Sequence, residues 1–212
     1  MNASRPTVFL VDDDQGALDS LRFLVESDGL QVEAFSSARS FLERFDPAAP
    51  GCVVIDYRMP EMNGLELQEE LCNRGAILPV IVVTAHGDVA SCARAFRAGA
   101  IDYLEKPLKG PVLLERLHAA ILRDAQQREH LSGCSDLQRQ LATLTSRERE
   151  VLDRLVEGRS LKQIAIEFGV SNQTAAKHRA KVLEKLNVAN DIELVHRVFG
   201  YDATLRDSRA AQ

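Results

Sequence analysis

Asp12 and Asp13 close the apolar run at 8–11, Asp56 closes the run at 53–55, Thr84 closes the run at 80–83, and Lys106 follows the segment at 101–104. Residues leaving the carboxyl ends of neighbouring strands in an open parallel sheet converge on one crevice. The expected product is a cluster of carboxylates, a hydroxyl and an ammonium. Three carboxylates in one crevice repel one another, and taking charge out of water is costly unless cations or hydrogen bonds compensate. Magnesium meets that need, because it prefers hard oxygen ligands at about 2.0–2.1 Å and usually keeps waters for a phosphate-bearing substrate. Asp13 and Asp56 are the expected direct ligands, with Asp12 acting through water. A phosphoryl group arriving at Asp56 needs its remaining oxygens neutralised, which Thr84 can do by donating a hydrogen bond and Lys106 by its compact positive charge. The set suits a carboxylate that accepts phosphate.

Delivering these groups to one edge requires strands alternating with helices. Short β-branched runs at 8–11, 32–35, 53–55, 80–83 and 101–104 are each followed by helical periodicity, for example Leu18, Leu21 and Val25 after the first and Val112, Leu113, Leu117 and Ala120 after the last. This alternation predicts an α/β fold, a five-stranded doubly wound parallel sheet with helices on both faces. The flavodoxin-like order 2-1-3-4-5 has its switch point between the first and third strands, flanked by Asp13 and Asp56.

The charge is unevenly spread: residues 1–124 hold 12 Lys and Arg against 19 Asp and Glu, and residues 125–212 hold 14 against 12. The two halves are expected to do different jobs. Cys52, Cys72, Cys92 and Cys134 form no C-x-x-C pair and have no clustered histidines, which argues against zinc and against a disulfide framework. No apolar run approaches the roughly 18 residues of a membrane span, so a cytoplasmic protein without membrane contact is expected.

Beyond about residue 122 the strands cease. Residues 123–141, with the polar stretch at 126–130 and the interruption Ser132-Gly133-Cys134-Ser135, predict a partly helical linker. An all-α, four-helix segment follows over 142–207. Capping boxes are expected at Thr145-x-x-Glu148, Ser160-x-x-Gln163 and Asn190-x-x-Glu193, Ser171 can cap a helix over 172–186, and Gly158 and Gly169 suit left-handed helix ends.

The motifs Val11-Asp12-Asp13, Asp56-Tyr57-Arg58-Met59-Pro60 with Asn63-Gly64, Thr84-Ala85-His86-Gly87-Asp88, Ala98-Gly99-Ala100 and Lys106-Pro107 resemble the receiver domain of two-component response regulators, over residues 6–122. The resemblance implies phosphorylation of Asp56 from the phosphohistidine of a sensor histidine kinase, with the backbone carbonyl of Arg58 completing the magnesium site. It also implies a cis Lys106–Pro107 bond and a switch pair, in which Tyr103 turns inward as Thr84 moves toward the phosphoryl group. A rival is a haloacid-dehalogenase-like phosphatase with Asp12 as nucleophile and Asp14 as general acid. That rival requires a further acidic pair after the lysine, where this chain has Leu108-Lys109-Gly110-Pro111-Val112.

Within 142–207, the segment 161–174 predicts two helices separated by a turn at Gly169, as a helix-turn-helix requires. The second helix places Lys177, Lys181 and Lys185 on one stripe and Ala175, Val182 and Leu186 on the other side. Leu144-Thr-Ser-Arg-Glu-Arg-Glu-Val-Leu152, Glu157-Gly158, Lys162-Gln-Ile-Ala165, Gly169-Val-Ser171, Thr174, His178-Arg179 and Lys185-Leu186 resemble the helix-turn-helix domain of the LuxR family, in its NarL/FixJ group and FixJ-like branch. The resemblance implies double-stranded DNA as a partner. Ser171, Asn172, Gln173 and Thr174 stand at the helix start, Ala176 offers only apolar contact to a base, and Lys177, Arg179, Lys181 and Lys185 contact base edges or phosphates. A protein-binding adaptor is the alternative for the same basic helix. The expected whole is a transcriptional regulator rather than an enzyme. Phosphorylation of Asp56 either frees the DNA-binding helix or promotes a homodimer on paired half-sites, with RNA polymerase as a further partner.

Overall fold

The computed structural model describes residues 5–85 and 87–199, and the chain divides into two compact units at Arg128/Glu129. His86 and residues 200–207, both within segments assigned above, lie outside the described residues, as does the Cys134 side chain.

In the first unit, β1 (Thr7–Val11), β2 (Gln31–Phe35), β3 (Gly51–Asp56), β4 (Val80–Thr84) and β5 (Asp102–Glu105) form one parallel sheet in the order β2-β1-β3-β4-β5. Side chains alternate across a pleated strand, so each run feeds two cores. Phe9, Val11, Val53, Ile55, Val80 and Val82 pack on one face with Phe41 of α2 (Ala38–Arg44), Leu67 and Leu71 of α3 (Gly64–Asn73) and Ala95 of α4 (Val89–Arg97). Val8, Leu10, Val54, Ile81 and Val83 pack on the other with Leu18 and Val25 of α1 (Gln15–Ser27) and Leu113, Leu117 and Ala120 of α5 (Gly110–Ala142). This is the expected doubly wound sheet. Register then sets the site: Val11 pairs with Ile55, so Asp12 and Asp56 leave adjacent strands at the same level. A Cβ at Gly64 would lie 2.5 Å from the Asp56 carbonyl oxygen, so only glycine lets α3 begin against that strand end.

Helix α5 runs unbroken to Ala142, past Ser132 and Gly133. The expected interruption is therefore absent. A glycine in a helix interior costs only about 1 kcal/mol relative to alanine, which good helix formers on either side absorb. Near residue 124 the helix is bolted to the sheet's amino-terminal edge. Buried Asp124 accepts from the Gly51 N–H at 2.8 Å and from Arg128 Nε at 2.9 and 2.8 Å, while the Arg128 guanidinium also donates to the Ala48 and Ala49 carbonyls.

In the second unit, α6 (Ser146–Val156), α7 (Leu161–Glu167), α8 (Asn172–Lys185) and a helix over 191–199, α9, enclose a core of Val151, Leu152, Ile164, Val182, Leu186 and Leu194, joined by Leu137 and Leu144. The Thr145/Glu148 and Ser160/Gln163 capping boxes are both closed, and Ser171 caps α8. Gly158 and Gly169 take left-handed φ values of 80° and 64°. The third box differs: Asn190 accepts from the Glu193 N–H, but the Glu193 carboxylate takes the N–H of Ala189.

Candidate phosphoacceptor and DNA-binding sites

At the carboxyl edge of the sheet, the Lys106 ammonium lies between two carboxylates, 2.7 Å from Asp12 Oδ2 and 2.6 Å from Asp56 Oδ1. The Arg58 N–H donates to Asp56 Oδ2 at 2.7 Å. Lys106 is delivered by its own backbone N–H, which donates to the Thr84 carbonyl at 2.7 Å, and the Lys106–Pro107 peptide is cis. Burial raises the Asp56 pKa against the opposing pull of Lys106 and the Arg58 amide, and the Asp12 charge adds to the rise. For Lys106, burial alone would lower the pKa, but the hydrogen bonds and charges of Asp12 and Asp56 outweigh it and hold the ammonium above its usual range.

Asp12 also accepts from the Asp14 N–H at 2.9 Å. Asp14 itself caps α1, its Oδ1 accepting from Gly16 and Ala17 N–H at 2.8 and 3.2 Å. A carboxylate occupied in this way is not poised as a general acid. Thr84 is fully buried. The Tyr103 hydroxyl beside it is shielded from solvent, and its ring is partly buried against the core. Burial raises that phenol's pKa, and a side-chain hydrogen bond with Thr84 opposes the rise.

Not every expected ligand is gathered. Asp13 is exposed, and among the described residues no three Asp, Glu, His or Cys side chains stand close enough together to hold a metal. Two do: Asp12 and Asp56 meet at one ammonium, which leaves one negative charge uncompensated between them. Magnesium is commonly held by one or two carboxylates plus substrate oxygens, so the donor set fits that ion without a third side chain in place.

On α8, Ala175, Val182, Leu183 and Leu186 are buried while Asn172, Gln173, Thr174, Ala176, Lys177 and Lys181 are exposed. Ser171 Oγ caps the helix and lies 2.9 Å from Thr174 Oγ1. Two of the expected basic contacts are withdrawn from this face. Lys185 Nζ is 2.6 Å from Glu148 Oε2 and donates to the Thr143 carbonyl at 2.9 Å, and Arg179 Nε pairs with Asp191 at 2.8 Å. Spacing alone put Lys185 on the Lys177 and Lys181 stripe, but buried Glu148 needs a cation and takes it. Lys177 and Lys181 are left as the exposed cations of the stripe.

Residues 8–118, more than half of the chain, match the response regulator receiver domain, and residues 142–198 match the bacterial regulatory proteins of the luxR family. The chain belongs to the response regulators. Transcriptional regulatory protein FixJ of Azorhizobium caulinodans is 42% identical over 188 residues, 89% of this chain and 89% of that protein. Response regulator protein TmoT of Ectopseudomonas mendocina is 37% identical over 195 residues, 92% and 89% of the two chains. Of solved structures, response regulator StyR matches with a TM-score of 0.84 at 40% identity, covering 93% of this chain and 100% of that one. Full-length FixJ from B. japonicum matches at 0.59 and 33%, covering 95% and 99%.

This response regulator thus joins a receiver to a LuxR-type helix-turn-helix, the architecture of a transcription regulator and not of an enzyme. No helix among its described residues is long and apolar enough to cross a membrane. Two polar groups in it escaped sequence reasoning. One is the Glu148–Lys185 pair, whose partners are 37 residues apart. The other ties Tyr57 to Ser91 and Arg94. Neither has a spacing signature, because both cross between elements.

Proposed function

We propose that Asp56 is the phosphoacceptor of this response regulator and that its phosphorylation controls DNA binding by α8. The observation that carries the reading is the single Lys106 ammonium shared by Asp12 and Asp56 at two adjacent strand ends. A carboxylate oxygen of Asp56 attacks the phosphorus of a sensor kinase phosphohistidine, the N–P bond breaks, and the imidazole leaves with its electron pair. A magnesium ion, when bound, would be held by Asp56, Asp13 and the Arg58 carbonyl, with Asp12 acting through water, and would supply positive charge to the incoming oxygens. Lys106 then pairs with the phosphoryl group, Thr84 moves toward it and donates to it, and the Tyr103 ring packs inward behind Thr84. The gain of charge at one residue biases the receiver between two states. The output is a homodimer on paired half-sites or an unmasked α8, read by Asn172, Gln173, Thr174, Ala176, Lys177 and Lys181, with RNA polymerase downstream.

The test incubates wild type and Asp56→Asn with a small-molecule phosphodonor and magnesium, following mass, oligomer size and DNA footprint. Stoichiometric phosphate on wild type alone, with a stronger footprint, is expected. Identical behaviour of the two proteins overturns the reading.

A further inference from the structure

Tyr57 follows Asp56 directly, and its main chain is clamped on both sides: its N–H donates to the Val83 carbonyl at 2.7 Å and its carbonyl accepts from the Gly64 N–H at 3.0 Å. Its side chain leaves the strand end and reaches α4. The phenolic oxygen lies 2.5 Å from Arg94 Nη2 and 3.0 Å from Ser91 Oγ, and Ser91 Oγ lies 2.7 Å from Asp88 Oδ2. A proton count fixes the direction of these bonds. The serine hydroxyl has one proton and the Asp88 carboxylate can only accept, so that proton goes to Asp88. The Tyr57 proton must then go to Ser91 Oγ, and the phenolic oxygen accepts from Arg94.

The result is a one-way chain, Arg94 to Tyr57 to Ser91 to Asp88, with a cation at one end and an anion at the other. Hydrogen bonds aligned in this sense polarise one another. Asp88 is also the N-cap of α4, accepting from the Ser91 N–H at 2.8 Å. That backbone bond first, and the Ser91 hydroxyl second, hold its carboxyl below the usual range, so the acceptor end stays ionised. Ser91 is buried, which leaves its hydroxyl little recourse to water if Tyr57 withdraws.

We propose that Tyr57 is a positioning residue that ties the first turn of α4 to the phosphoacceptor segment, so that a shift of Asp56 is felt by α4 directly. The tie rests on the reading of Asp56 as phosphoacceptor, and it runs through residues other than Thr84 and Tyr103, which stand on β4 and β5. A change at position 56 moves the clamped backbone of Tyr57, the hydroxyl follows, and the cap of α4 is either reinforced or released.

The experiment uses the full chain as wild type, Tyr57→Phe, Arg94→Gln and the double variant Tyr57→Phe/Ser91→Ala beside Ser91→Ala. Hydrogen exchange of residues 88–97 is measured with and without a small-molecule phosphodonor and magnesium, and phosphate on Asp56 is counted by mass. In wild type, exchange in the first turn of α4 should change on phosphorylation. In Tyr57→Phe, Asp56 should take up phosphate to the same stoichiometry, while that turn exchanges about tenfold faster without donor and no longer responds to it. Arg94→Gln alters only an exposed end of the chain and should blunt the response in a fully folded protein. Adding Ser91→Ala to Tyr57→Phe should cost little more than either alone. A Tyr57→Phe or Arg94→Gln protein whose α4 exchange and response match wild type overturns the proposal, as do additive effects in the double variant. Failure of wild type to take up phosphate would instead sink the phosphoacceptor assignment, and the donor-free exchange rates would still judge the tie.

Discussion

Lys106 is the only cation touching either acidic group at the strand ends among the described residues, so its removal separates electrostatics from fold. Lys106→Met deletes charge-assisted hydrogen bonds worth roughly 1.5–3 kcal/mol each, and the rate of phosphate uptake by Asp56 should fall about tenfold or more, read by mass after brief exposure to phosphodonor. Glu148 makes a different claim. Hydrogen bonding from Lys185 first, then from the Thr145 amide, lowers its pKa to about 2 from 4.5. A carboxylate depressed in the folded state contributes stability that is complete above its unfolded value and disappears as pH falls through the folded one. Protection of α6 and α8 amides in the full chain should therefore decline between about pH 4.5 and 2, and Glu148→Gln should flatten that decline. An unchanged slope in the variant would remove Glu148 as its source.

At the level of elements, the bolt at Asp124 joins three separate pieces: the start of β3, the 48–49 carbonyls before it and the turn of α5 that carries Arg128. Asp124→Ala strands the buried Gly51 amide and a half-buried guanidinium, and breaking such a pair costs about 3–5 kcal/mol. Urea unfolding of the receiver should show a loss of that order, whereas an exposed aspartate such as Asp19 replaced by alanine should cost almost nothing. The strands, their order and the meeting of Asp12, Asp56 and Lys106 were legible because short β-branched runs and the polar residues that end them are local patterns. Three of the four caps in the second unit were legible for the same reason. The unbroken α5 was not, since Ser132 and Gly133 look like a breaker until the anchoring of Asp124 on one side and Leu137 on the other is known. The Lys185 pair with Glu148 and the Tyr57 chain depended on partners far along the sequence, which spacing does not encode.

For the molecule as a whole, net charge is −5, so its affinity for DNA must come from a local basic face and not from bulk attraction. Each phosphate contact contributes about −0.9 to the slope of log affinity against log salt. If Lys177 and Lys181 touch the backbone, replacing either by alanine should weaken binding to all sequences alike and reduce that slope by about 1. A variant that instead relaxes preference at one base pair assigns its lysine to a base edge. Lys185→Ala should leave the slope alone while destabilising the second unit.

Because Lys185 is held at once by Glu148 and the Thr143 carbonyl, it differs from its neighbours in what a reagent can reach. Acylation by an amine-selective ester demands a free, deprotonated nitrogen, so in native protein Lys177 and Lys181 should modify early and become shielded when operator is added. Lys185 should lag in both states and catch up only in denaturant, making its reactivity a gauge of whether the second unit is folded and theirs a gauge of whether it is occupied.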